Sequence, residues 1–185
     1  MNTLLATVLA ASILGQTAIA PPSTPEELAA VYLATAQREG LRETGRFYDP
    51  STLADIKSAF LPLLEREASN GQAIVRHAMF GTATPLDAIR GLQPVDFFRG
   101  VANFFQVQME DSSLPLPDSA IVGSVYEGDD VAHVLVRFEP LFNRTNLDVV
   151  SMRRNGQTWA LFPGEELAAF TELARQQTSA SDVQN

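Results

Sequence analysis

Apolar residues recur along this chain with two different periods, and the change from one to the other divides it. In the first half they return every three or four positions. Leu28, Val31, Tyr32 and Ala36 predict a helix that Thr24-Pro25-Glu26-Glu27 opens as a capping box and Gly40 stops. Asp49-Pro50-Ser51 starts a second helix with the stripe Leu53, Ile56, Phe60, Leu63 and Leu64; Pro62 inside it predicts a kink or a break. After the Asn70-Gly71 turn, residues 72–80 fit a short strand and a helical turn equally well. Thr84-Pro85-Leu86-Asp87 and then Pro94 start further helical pieces, the last with Phe97, Val101, Phe104 and Phe105 on one face.

Beyond "DSSLPLPDSA" the period falls to two. "AIVGSVYE" and "VAHVLVRFE" flank Gly128-Asp129-Asp130, and "NLDVVSMRR" and "QTWALF" flank Asn155-Gly156, so two hairpins are expected. A closing helix from about Glu165 to Arg175 follows Pro163-Gly164, and "QQTSASDVQN" reads as a frayed polar tail. Helices segregated from strands predict an α+β fold: N-terminal helices packed on a curved four-stranded antiparallel meander, closed by a C-terminal helix. The phenylalanines from 97 to 105 are the expected filler between the layers. One domain over residues 21–176 is expected, with 177–185 as a disordered tail.

This order of elements, ending in the turn and tryptophan strand "RRNGQTWALFPG", resembles the nuclear transport factor 2-like, or cystatin-like, α+β group. The hairpin "VYEGDDVAHVLVRFE" is similar to that of exported bacterial proteins of the same type with no assigned role. The likeness covers most of the chain after its head. It departs in the long, proline-interrupted helical part and in the helix after the last strand. The resemblance implies a cone whose sheet and helices enclose a cavity, used in that group as an enzyme site, as a ligand pocket, or simply filled. Fold alone does not choose among these.

The head changes where the protein is expected to work. Leu4 to Leu14 is nearly all apolar, and Ala18-Ile19-Ala20 supplies a small-x-small site, so residues 1–20 read as a secretory signal peptide. No Lys or Arg precedes the apolar run and Pro21 would follow the cut; both favour the alternative, a retained N-terminal anchor. The expected location is periplasmic or secreted, in a bacterium. Lys57 is the sole lysine, which fits the codon usage of a GC-rich genome.

Composition removes several classes of chemistry. With no cysteine there is no thiolate metal site, iron–sulfur cluster or thiol nucleophile. A net charge of −9 argues against nucleic acid and against an anionic membrane surface. His77 and His133 stand far apart, so no metal is expected, and no cofactor motif of the phosphate-loop or dinucleotide type is present. No nucleophile elbow or S-x-x-K motif occurs. Asn143-Arg144-Thr145 matches a glycosylation acceptor, which is without meaning in a bacterium.

What remains is acid–base work in a cavity, with His77 as the catalytic candidate and Arg76 and Asp148 as its companions. Tyr32, on the apolar stripe of the first helix, is a second candidate, although core packing explains it as well. His133 alternates with Leu135 and Arg137, away from the more apolar set Ala132, Val134 and Val136, and so faces solvent or a partner strand. Trp159 either stacks on a ligand or covers the core against a helix, the last one being the nearest in sequence. Phe98 falls off its stripe and would mark a pocket mouth or a partner contact. Three functions stay open. The preferred one is a non-catalytic binding or accessory module for a small hydrophobic or lipid-like ligand. The others are a cofactor-free isomerase or dehydratase, and a structural or interaction protein of the cell envelope.

Overall fold

The structure is a computed structural model that describes residues 22–111, 118–141 and 144–182. The expected signal segment 1–20, Asn143 and residues 183–185 of the expected tail lie outside them.

Helix α1, Pro25–Glu39, begins as its sequence dictates. The Glu27 N–H donates to the Thr24 hydroxyl at 3.2 Å, and the Thr24 N–H donates back to the Glu27 carboxylate at 3.3 Å. Gly40 ends it at φ +87°, where a side chain would be strained and its Cβ would meet the Gln106 amide at 2.8 Å. A 3₁₀ turn, Leu41–Phe47, leads to α2, Pro50–Ser69, which Asp49 caps by accepting from the Ser51 N–H at 2.8 Å.

Of the kink or break expected at Pro62, the break does not occur: α2 runs through it. An interior proline costs about 3 kcal/mol. Ile56, Phe60 and Leu64 are fully buried around it, and each contributes roughly 1.5–3 kcal/mol, so burial of the stripe outweighs the lost hydrogen bond.

The ambiguous segment is helical: α3, Ile74–Phe80. Its first turn is fixed by Glu67, near the end of α2, whose two carboxylate oxygens accept from the N–H groups of Val75 at 2.7 Å and Arg76 at 3.1 Å. A buried carboxylate thus satisfies two of the donors that a helix start leaves unpaired. Helices α4, Leu86–Gly91, and α5, Pro94–Asp111, follow.

Strands β1, Ser119–Glu127, β2, Val131–Leu141, β3, Arg144–Asn155, and β4, Thr158–Leu161, form an antiparallel meander in the order β1-β2-β3-β4. Gly128 and Gly156 turn the two predicted hairpins at φ +65° and +63°. Bulges at Ile121/Gly123 and Phe138/Leu141 bend β1 and β2. Helix α6, Glu165–Asp182, closes the chain and runs past its expected end at Arg175. The Thr178 hydroxyl donates to the Ala174 carbonyl at 2.9 Å, and the Arg66 guanidinium donates to the Gln177 carbonyl, tying the added turns to α2.

The α+β class is therefore as the sequence predicts, but the apolar interior is divided. One cluster lies between α1 and the sheet: Leu28 and Ala29 against Ala132, Val134, Val136, Met152, Trp159 and Leu161. The other is helical, with Leu53, Ile56, Phe60, Leu64, Met79, Ile89, Phe97 and Val101 at its centre. Tyr48 packs against both. The aromatic face of α5 is not filler between helices and sheet. Phe97 meets Phe80 at 5.2 Å, and Phe104 and Phe105 gather around Phe170 of α6 at 5.9 and 4.9 Å. The helix laid across the sheet is α1, so the phenylalanines of α5 find their partners among the other helices.

Candidate functional site

Register divides the sheet's side chains into two faces. On the inner face, Ala132, Val134 and Val136 of β2 are fully buried, and Ser124 of β1 bonds to Glu26 of α1. On the outer face, Val125 stands opposite His133 and His133 opposite Ser151; Leu135 faces Val149, and Arg137 faces Leu147. This outer face is apolar and open. Val125 is 66% exposed, Leu147 60% and Val149 45%, and Val122 at the bulge is 54% exposed.

In the middle of this face sits a polar group. His133 Nδ1 shares a hydrogen bond of 2.9 Å with the Ser151 hydroxyl, and its Nε2 lies 3.5 Å from a Glu127 carboxylate oxygen. The Phe162 ring meets the imidazole edge-on at 6.4 Å, and the Arg153 guanidinium stacks over Phe162, 5.5 Å from its centroid. Serine, imidazole and carboxylate are the parts of a nucleophilic relay. Ser151, however, stands in an interior strand paired on both sides, not on a turn that converges backbone N–H groups on one point as an oxyanion hole requires. The group anchors the centre of the face.

A second cluster lies where the two apolar interiors meet. The hydroxyls of Tyr32 and Tyr48 share a hydrogen bond. Their rings are edge-on at 6.4 Å, and Phe47 lies 6.3 Å from Tyr32. Burial pushes the Tyr48 hydroxyl well above the ordinary tyrosine value, and Tyr32 adds to the rise. Burial also raises Tyr32, and the Asp148 charge works in the same direction against the hydrogen bond from Tyr48. Both phenols stay protonated at neutral pH, where they donate hydrogen bonds and do not act as bases.

The structure gathers some of the sequence candidates and separates others. His77 is half-buried on α3 with the Arg76 guanidinium 3.4 Å from its Nε2. Asp148 is not with them. It lies on β3 opposite Val136, on the α1 side of the sheet, and acts on Tyr32. The expected group of His77, Arg76 and Asp148 is therefore not assembled, because α3 belongs to the helical cluster. Phe98, expected at a pocket mouth, is 4% exposed. Its ring lies 5.1 Å from Tyr48 and against Gly45, where a Cβ would come within 2.8 Å of it. Trp159 is buried with Leu28 and Ala29 of α1, not beneath α6. Arg154 stacks on its ring at 5.2 Å and Tyr126 meets it edge-on at 6.2 Å.

A cleft of about 370 Å³ opens between α2 and α6, lined by Thr52, Asp55, Ile56, Pro163, Ala168, Thr171, Glu172 and Arg175. None of the candidates from the sequence lines it. Among the described residues, no group of three His, Cys, Asp or Glu could hold a metal ion, and no helix is long and apolar enough to cross a membrane.

Sequence reasoning missed Tyr48, Ser151 and Glu127. Tyr48 follows a 3₁₀ turn that carries no periodic signal, and the other two meet His133 only through strand register. The open outer face did leave a trace, since Val125, Val131, Leu135, Leu147 and Val149 make these strands apolar on both sides.

Fold and surface together define an α+β protein with one face of its sheet under a helix and the other face uncovered by any of the described residues. Compared with known proteins, the chain matches no family model, no curated protein and no solved structure.

Proposed function

We propose that this chain is an exported interaction module that docks a partner protein on the outer face of its sheet. The observation that carries this is the exposure of Val125 on β1 and of Leu147 and Val149 on β3, all on the face that holds the His133–Ser151 pair. Several exposed branched side chains gathered on one face form a surface that association would cover, whereas exposures scattered over the whole molecule need no explanation. The apolar head supports export, and the order of helices followed by a meander supports a distant nuclear transport factor 2-like relationship. A photo-cross-linking residue placed at position 125 or 149 in the intact cell is expected to trap a defined partner, and one at exposed Arg42 is not. Equal trapping at all three positions would sink the proposal.

A second function, binding of a small apolar or lipid-like ligand, is supported by the cleft between α2 and α6. Its lining mixes Ile56 and Ala168 with Asp55, Glu172 and Arg175, which suits a ligand with a polar end better than a pure hydrocarbon. Native mass spectrometry of protein purified from the periplasm tests it: copurified small molecule supports it, and a clean protein mass at every gentle setting removes it.

A further inference from the structure

We propose that the free edge of β1 receives an extended, basic-flanked segment of a partner protein as a fifth strand. This rests on the reading of the outer face as a docking surface, and it names what docks.

The two edges of the sheet are finished differently. At β4 the edge is met by the chain itself, through the Tyr48–Leu161 bridge and the Asp49 N–H donating to the Leu161 carbonyl at 2.9 Å. At β1, β2 pairs with one side, and among the described residues no strand pairs with the other. Exposed edges are ordinarily blunted by brevity, lysine, proline or a bulge. β1 has nine residues and neither lysine nor proline. Its bulge at Ile121/Gly123 leaves Gly123 to Glu127 in unbroken register with β2. That run is long enough to template a short added strand, and Val125 and Tyr126 are exposed on its two faces.

The size of the outer face points the same way. Four strands about 4.8 Å apart and roughly nine residues long offer on the order of 500 Å². A stable partner needs about 800 Å² per side, so it must reach beyond the face, and the edge of β1 adjoins it.

Charge selects the occupant. Asp118 and Glu127 bound the strand, Asp129 and Asp130 follow, and the whole chain carries −9. A second copy pairing β1 antiparallel to β1 would set Asp118 beside the other copy's Glu127, and like charges across strands repel. A segment with Lys or Arg at its ends and apolar residues at alternate positions complements the edge. Its backbone supplies the ladder, and its apolar side chains extend the outer face past Val125.

The test is selection of displayed random heptapeptides on the full-length chain, followed by synthesis of the enriched sequences. Alternating apolar residues with basic ends are expected. N-methylation of alternate backbone amides along one edge of such a peptide should weaken binding at least tenfold. The pair Asp118→Lys and Glu127→Lys should weaken it at least tenfold and favour acidic-ended peptides instead, with circular dichroism confirming an unchanged fold. Enrichment without basic ends, or equal binding of N-methylated peptides, overturns strand addition. If no peptide is enriched while cross-links from position 149 persist, strand addition falls and docking on the face stands. Loss of both removes both.

Discussion

The two faces of the sheet carry the same kind of residue and meet opposite fates. Val134 and Val149 are both central valines. The first lies under α1 and is fully buried, and the second is nearly half exposed. Apolar content alone therefore does not decide burial. What decides it is that, among the described residues, one helix covers the inner face and the remaining helices pack into a cluster of their own.

The largest test of this contrast is a matched pair of substitutions. Val134→Lys should cost about 4 kcal/mol or more, because it buries an unpaired charge. Val149→Lys should stay within about 0.5 kcal/mol, as exposed substitutions do. Urea unfolding of both variants measures the difference, and comparable losses would mean that the outer face is covered in solution.

A smaller effect concerns the seam between the clusters. Tyr48→Phe should cost about 1 kcal/mol for the lost hydrogen bond. It should also change the alkaline limb of stability. The folded Tyr48 pKa is raised, so its contribution is complete below the unfolded value of about 10 and is lost as pH climbs above that toward the folded value. Stability measured from pH 8 to 11 should fall less steeply in the variant, and identical slopes would refute burial of the hydroxyl.

The smallest effect lies at the clasp between α1 and the inner face. The Ser124 hydroxyl holds the Glu26 carboxyl below its ordinary value, helped by the amide of Glu26 itself. A lowered carboxyl stabilises the fold above its unfolded pKa and ceases to do so as pH falls through the folded one. Ser124→Ala should bring the Glu26 titration, followed by NMR, back toward the ordinary range. The change in stability should be a few tenths of a kcal/mol, because the carboxyl is largely solvated.

Local rules made much of the fold legible. The Thr24 box, Gly40, Asp49 and the two glycine turns act within a few residues, and each stands where the sequence places it. Effects that depend on distant partners were not legible. The break at Pro62 is averted by packing, α3 is held by Glu67 across a turn, and the phenylalanines of α5 needed knowledge of where α6 would lie. The candidate site divides in the same way. Tyr32 was visible on its stripe, but Tyr48, its hydroxyl partner, was not. His133 is expected to face solvent or a partner strand, and Ser151 is identified only once the β2–β3 register is known.

The bridge between Tyr48 and Leu161 joins points separated by more than a hundred residues. During synthesis, the segment that seals the β4 margin waits for its counterpart until more than a hundred further residues have been made. Closing so long a loop is entropically slow to reward, so this margin belongs to the late events of folding. A ribosome-bound chain halted before β4 would hold Tyr48 without its bridge, and arrest at that length is where the nascent protein should be most open to chaperones.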